Sequence, residues 1–318
     1  MKIIKKILRR SEIGVLIPLL ILWVITYMAN KAFFSSTNMI SLFRTVSISL
    51  LGAIGATFIF ACGMMDLSAG SVYALSGMVA AISMKDLGLS VGVAVLLSLL
   101  VGVVIGLINA LIVNKFEIPA FIATLGTQYI ARGIVNVISE GKTYTGFSES
   151  FNAIGGIGFL GIPWSVYIAI IISIIAGFIL KNTVYGRSLL AVGGNAETAR
   201  VCGINIKRVR NIAFLISGIL CAMAGLLSTA RLSTAQVSAG TGWEMSIIAA
   251  TIIGGVSMYG GYVTLIGAII GVTLMETLTI SMTMLKVNPY WQKIVIGIII
   301  LVAVGIDTYR RKKMSGGN

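Results

Sequence analysis

Long stretches of apolar residues, broken by short polar segments, dominate the chain. Ten of them have the character of membrane crossings, at about 13–30, 40–62, 71–85, 89–113, 118–138, 163–180, 207–229, 243–258, 262–284 and 291–307. A bilayer core is crossed by a helix of about 20 predominantly apolar residues. Most of the ten runs meet that length. The third and eighth are short for a full span, which suggests broken or re-entrant helices. The expected fold is therefore all-α, polytopic and built of about ten transmembrane helices, with residues 1–318 forming a single transmembrane domain.

The pattern repeats itself at an offset of 170 residues. L-S-A-G-S-V-Y-A-L-S-G-M-V-A-A (67–81) lies over V-S-A-G-T-G-W-E-M-S-I-I-A-A-T (237–251), with Ser68/Ser238, Ala69/Ala239, Gly70/Gly240, Ser76/Ser246 and Ala80/Ala250 identical. Tyr73 falls on Trp243, Ser47 on Ser217, Gly55 on Gly225 and Pro119 on Pro289. Crossings 2–5 then correspond to crossings 7–10, as halves of about 40–138 and 207–307. Because the two sets differ by five crossings, they run in opposite directions through the membrane. Inverted repeats of this kind place a pathway at the repeat interface, as in transporters.

Composition agrees with the pattern: 57% of residues are apolar and 11% charged, and the mean hydropathy is +1.01. Such a chain is too apolar for a soluble globule. The net charge of +14 could suggest nucleic acid, but its placement excludes that partner. Of the 24 Lys and Arg, five lie in 1–10, six in 181–210 and four at Arg310, Arg311, Lys312 and Lys313. The positive-inside rule puts all three segments in the cytoplasm. Six crossings from a cytoplasmic N-terminus return the chain inside at 181, and ten return it inside at 308, so crossing parity agrees with charge. The start, M-K-I-I-K-K-I-L-R-R, has the outline of a signal peptide without an A-x-A site and reads as an uncleaved first helix.

Several chemistries are excluded. Histidine is absent, which removes His-based acid–base and nucleophilic mechanisms. Cys62, Cys202 and Cys221 form no CxxC pair. No G-x-x-x-x-G-K-[ST] phosphate loop is present, so this chain does not hydrolyse ATP by that route. An enzyme is not expected, nor a metal or cofactor.

The charged island at 181–210 holds Lys181, Arg187, Arg200, Lys207, Arg208 and Arg210. Asn195 is a good N-cap and Gly203 a good left-handed stop, predicting a helix of about two turns over 196–202. Two turns cannot cross a bilayer, so this helix is either a capped surface element or the contact for a soluble partner.

Two S-A-G segments carry the candidate pathway. In D-L-S-A-G-S (66–71), Asp66 and Ser68 are natural N-caps and Gly70 permits close approach; capping alone accounts for Asp66, and a polar path is the alternative. Its repeat mate, S-A-G-T-G-W-E (238–244), is expected on the opposite side of the membrane and adds Glu244, either a gating or a structural carboxylate. The candidate pathway residues are Asp66, Ser68, Gly70, Ser71, Gln236, Ser238, Gly240, Thr241 and Glu244. Gly102, Gly106, Asn109 and Ala110 share a compact helical face, and G-A-I-I-G (267–271) is a second small-residue site; both predict helix packing. Arg44, Arg132 and Arg231 fall near outer helix ends, where snorkelling to head groups is expected, with contact to an external partner as the alternative. Residues 139–162 form the longest outer segment, either a plain loop or a docking surface.

Together with A-F-I-A-T-L-G-T (120–127), T-G-F-S-E (145–149), G-G-N-A-E-T-A-R-V-C-G-I-N (193–205), A-R-L-S-T-A-Q (230–236) and I-G-G-V-S-M-Y-G-G (253–261), these motifs resemble, over nearly the whole chain, permease subunits of bacterial ABC sugar importers of the ribose type. The resemblance implies a permease homodimer in the cell membrane with cytoplasmic termini, a cytoplasmic ATPase subunit and an extracytoplasmic sugar-binding protein. It also implies that Gly193, Gly194, Asn195, Glu197, Ala199, Arg200, Gly203 and Ile204 couple the permease to the ATPase, with Ala199 facing a groove on that partner. Ser246 and Met65 stand where the family usually carries an acidic residue and Ile, which leaves the sugar open. ABC permeases for branched-chain amino acids or nucleosides share the architecture, and an ATP-independent secondary transporter is the alternative of another class.

Overall fold

The computed structural model describes residues 11–315. The basic N-terminal cluster lies outside them, as do the side chains of Arg310–Lys313. Every one of the ten apolar runs is a helix: α1 (Ser11–Ala29), α2 (Ser36–Ala61), α3 (Ala69–Lys85), α4 (Val91–Lys115), α5 (Ala120–Ser139), α7 (Trp164–Asn182), α10 (Ile206–Leu232), α11 (Trp243–Ile253), α12 (Leu265–Met284) and α13 (Pro289–Ser315). Three short helices fill the polar segments, α6 (Glu149–Ile154), α8 (Val184–Gly194) and α9 (Ala196–Val201). The protein is thus an all-α polytopic membrane protein.

Among the described residues, six helices are long and apolar enough to cross a membrane: α2, α4, α5, α7, α10 and α12. This is fewer than the ten crossings that run lengths suggest. Helix α11, with 11 residues, rises about 16 Å at 1.5 Å per residue and falls short of a core about 30 Å thick. It ends where Gly254 and Gly255 interrupt the apolar run, and Gly255 adopts φ 93°.

Helices α2 and α10 form the centre, each buried over 72% of its apolar window. Helix α10 packs along α4, α2 and α3, and the small-residue face of α4 makes this possible. A Cβ on Gly102 would strike the Gly218 carbonyl, and one on Gly106 would lie 2.7 Å from the Phe214 carbonyl. In lipid, close backbone approach replaces the missing hydrophobic drive between helices. Gly267 and Gly271 play the same part where α12 crosses α11, against the carbonyls of Gly254 and Ala250.

The 139–162 segment is folded rather than a plain loop. Strand β1 (Tyr144–Thr145) pairs antiparallel with β2 (Thr234–Ala235), and Phe151 of α6 is fully buried. Tyr144 donates to Asp86 Oδ2 at 2.5 Å, and this bond holds the phenol protonated above its usual range. Lys85 donates to the Gly146 carbonyl. The segment therefore caps α3 and the end of α10.

Candidate functional site

Between α2 and α3 the chain turns deep in the bundle. Asp66 Oδ1 accepts from the Ser68 amide (2.9 Å) and hydroxyl (2.6 Å), while Oδ2 accepts from Ser217 of α10 (2.9 Å). The N-cap of α3 is Ser68, whose side chain makes no capping bond. Asp66 therefore builds an Asx turn instead of capping a helix. Asn109 Nδ2 donates to Ser68 Oγ (2.9 Å), and Asn109 Oδ1 accepts from Thr127 (2.6 Å). The Leu67 amide donates to Thr124 Oγ1 at 3.1 Å. One polar seam thus joins α4, α5, α10 and the α2–α3 turn. Buried polar groups in an apolar surround must find such partners.

The two S-A-G segments, expected on opposite sides, touch each other. A Cβ on Gly70 would collide with the Gly240 carbonyl and with Glu244 Oε2; one on Gly240, at φ 68°, would collide with the Gly70 carbonyl. Because α3 and α11 are both short, their N-terminal ends stop inside the bundle and meet there. Arg132 fastens the junction. Its guanidinium donates to the carbonyls of Val237 (2.8 Å), Ala239 (2.7 Å) and Gly70 (3.3 Å). Snorkelling is thereby corrected for Arg132: the junction brings three backbone carbonyls within reach of its guanidinium, which is held inside the protein. Arg231 is also held within the protein, by Thr45 (3.0 Å) and Ser41 (3.3 Å). One turn before Arg132, Gln128 donates to Glu244 Oε1 at 3.0 Å. Glu244 is buried, and its Oε2 has no hydrogen-bond partner among the described residues.

Of the nine candidate pathway residues, Asp66, Ser68, Gly70, Ser71, Gly240 and Glu244 come together around the two turns. Gln236, Ser238 and Thr241 are exposed on the same linker, and Thr241 donates to the Ser238 carbonyl of its own turn. Beside the junction lies a residue that sequence reasoning missed. Glu276 of α12 accepts from Ser49 at 2.6 Å, and Ser49 accepts from Trp243 Nε1 at 3.3 Å. A lone carboxylate in the apolar run L-I-G-A-I-I-G-V-T-L-M-E-T-L-T-I was the available signal, since intramembrane carboxylates are costly.

The charged island folds largely as its caps dictate. Asn195 accepts from the Thr198 amide at 3.0 Å, and Gly203 closes α9 at φ 81°, with the Ile204 amide returning to the Ala199 carbonyl. Glu197 and Arg200 form an exposed pair at 3.3 Å. Ala199, however, does not face outward: it is 3% exposed and packs into the main core. The periodicity of α9 turns its apolar face onto the bundle, and Val201, 88% exposed, is the apolar residue left outside. Gly193 also faces inward, against the Ala61 carbonyl and Gly261, so the G-G-N and Y-G-G motifs are neighbours at the end of α2.

Residues 38–304 match the family described as branched-chain amino acid transport system / permease component. The chain belongs to this permease family. The permease is 39% identical over 297 residues to the ribose import permease protein RbsC of Haemophilus influenzae, covering 92% of each chain. It is 37% identical over 305 residues to that of Bacillus subtilis, covering 95% of this chain and 94% of that one. With the L-arabinose transport system permease protein AraH of Escherichia coli it shares 35% over 302 residues, 95% of this chain and 92% of the other. No solved structure matches the permease.

Proposed function

We propose that this permease is the membrane subunit of an ATP-binding-cassette importer that passes a monosaccharide, a pentose such as ribose or a hexose. The carrying observation is 39% identity along 92% of a ribose import permease, with an arabinose permease close behind. The sugar arrives on an extracytoplasmic binding protein, and a separate cytoplasmic ATPase drives its passage through a permease homodimer. The family description names branched-chain amino acids, which is the second reading. Reconstitution with the co-expressed ATPase and binding protein separates the two. ATP-dependent uptake of labelled ribose or arabinose supports the first; uptake of leucine alone would replace it.

The proposed architecture has ten membrane-embedded elements in two inverted halves, about 40–138 and 207–307, with both termini cytoplasmic. Moved by 170 positions, α2, α4 and α5 fall on 206–231, 261–285 and 290–309, the places of α10, α12 and α13. Gly70 touches its own repeat mate Gly240, and Tyr73 touches Trp243. Positions that contact their own counterparts lie beside a pseudo-twofold axis, which supports a pathway at the repeat interface. The solute would move along the polar seam of Asp66, Ser68, Asn109 and Thr127 and past Glu244, whose hydroxyl, amide and carboxylate groups match a polyhydroxylated sugar.

Coupling is assigned to 181–210. With Ala199 turned inward, the contact surface for the ATPase is the outer face of α9: Glu197, Arg200, Val201 and the Gly203 turn. Gly193 then passes movement of α9 to the ends of α2 and of the Y-G-G loop.

A further inference from the structure

At the end of the bundle that carries α9, a cavity of about 670 Å³ opens between the α4–α5 corner and the start of α10. Three cations line it, Arg200, Lys207 and Arg210, against one carboxylate, Glu117. Arg200 pairs with Glu197, but neither Lys207 nor Arg210 forms an ion pair among the described residues, and Glu117 forms none either. Two polar atoms here lack partners among the described residues. Arg210 Nε is buried with no acceptor, and Oδ1 of Asn114, a residue 8% exposed, is buried with no donor. Asn114 spends its amide nitrogen on Asn211 Oδ1 at 2.5 Å. The 27-residue helix α10 begins at the cavity wall, and its first turn adds the positive end of a helix dipole.

Buried guanidinium nitrogens without acceptors are costly unless an anion supplies them. Apolar side chains border the same corner: Phe116 is 60% exposed, Phe121 51% and Ile122 57%. They stand at the junction of two membrane-crossing helices, α4 and α5. A soluble anion would gain nothing from them, whereas acyl chains would cover them. We propose that this cavity binds the phosphate headgroup of an anionic phospholipid. Its phosphate oxygens would accept from Arg210 and Lys207, a glycerol hydroxyl would donate to Asn114 Oδ1, and the acyl chains would lie over Phe116 and Phe121. Basic pockets between membrane helices suit such headgroups.

Native mass spectrometry of the full-length permease in detergent tests this, with phosphatidylglycerol, phosphatidylcholine or inorganic phosphate as the probe. Phosphatidylglycerol should give a persistent one-lipid adduct per chain, and phosphatidylcholine should not. Lys207→Gln should weaken it roughly fivefold, the equivalent of about 1 kcal/mol for a cation near a lipid phosphate. The Lys207→Gln/Arg210→Gln pair should cost on the order of 25-fold if each cation contributes equally. Arg208→Gln, outside the cavity, should leave binding unchanged. Lys207 is exposed, so its single variant reads binding even if the pair disturbs folding. Unchanged phosphatidylglycerol binding in Lys207→Gln, or equal binding of phosphatidylcholine, overturns the proposal. Competition by inorganic phosphate at equal concentration makes the site one for soluble anions and overturns it too. Loss of co-purifying ATPase with lipid binding intact would reassign the cavity to that partner. None of these outcomes depends on which solute is transported.

Discussion

Tyr73 and Trp243 pack ring against ring, with centroids 4.6 Å apart and planes inclined at 44°. They stand one turn into α3 and at the first residue of α11, 170 residues apart in the chain. The Trp243 ring also fills the space over Gly52, so two short helices and α2 share one aromatic contact.

Trp243→Ala should therefore lower stability by roughly 3 kcal/mol, the low end for removing a large aromatic because the ring is only half-buried. A double-mutant cycle with Tyr73→Ala should return a coupling of about 1 kcal/mol, typical of an aromatic pair. Thermal unfolding of the four proteins in detergent measures both. Strictly additive effects would mean that the rings touch without supporting each other.

The Arg132 clamp predicts a distinction between charge and shape. Arg132→Lys keeps the cation but loses the planar fork that reaches three carbonyls, and Arg132→Gln loses both. Each should insert normally, and transport should fall by about tenfold or more, as expected when about 1.4 kcal/mol of a positioning contact is lost. Gly70→Leu and Gly240→Leu should block transport more completely, since no side chain fits between the turns. Normal uptake in all four variants would remove the turn junction from the pathway.

The inward orientation of Ala199 changes what the island variants should do. Ala199→Trp should disturb folding, because overpacking a filled core costs about 1–3 kcal/mol or more. Val201→Asp, at 88% exposure, should fold normally yet release the ATPase on co-purification. Gly203→Val should also uncouple, through strain at φ 81°. Full ATPase retention with Val201→Asp would leave α9 as a capped surface element.

Orientation is checked by cysteine labelling in a Cys202→Ser background, because Cys202 is exposed whereas Cys62 and Cys221 are buried. Ser150→Cys should react with an impermeant reagent in intact cells. Glu197→Cys and Met314→Cys should react only after permeabilisation. Labelling at 197 from outside would invert the topology and the coupling assignment together.

The sequence alone determined what depends on neighbouring residues. Apolar run length located all ten helices, because an apolar stretch in lipid must satisfy its backbone internally, but it ran five residues past the end of α11 and stopped eight short of the end of α13. Asn195 and Gly203 bounded α9 because capping is settled within one turn. The spacing of Gly102 and Gly106 announced a close helix contact, though not that Gly218 and Phe214 would supply it.

Tertiary structure decided what depends on residues far apart in the chain. Arg132 looked like a head-group anchor until the Val237 and Ala239 carbonyls, 105 and 107 positions away, came within its reach. The coupling role that the resemblance implies points Ala199 at a partner's groove, but a helix pattern fixes a face without saying which neighbour covers it, and the chain's own core does. The S-A-G turns looked separated by a membrane, since counting crossings assumes that every helix spans. Helices α3 and α11 stop short, so their ends meet inside the bundle, and that meeting brings two distant motifs into contact.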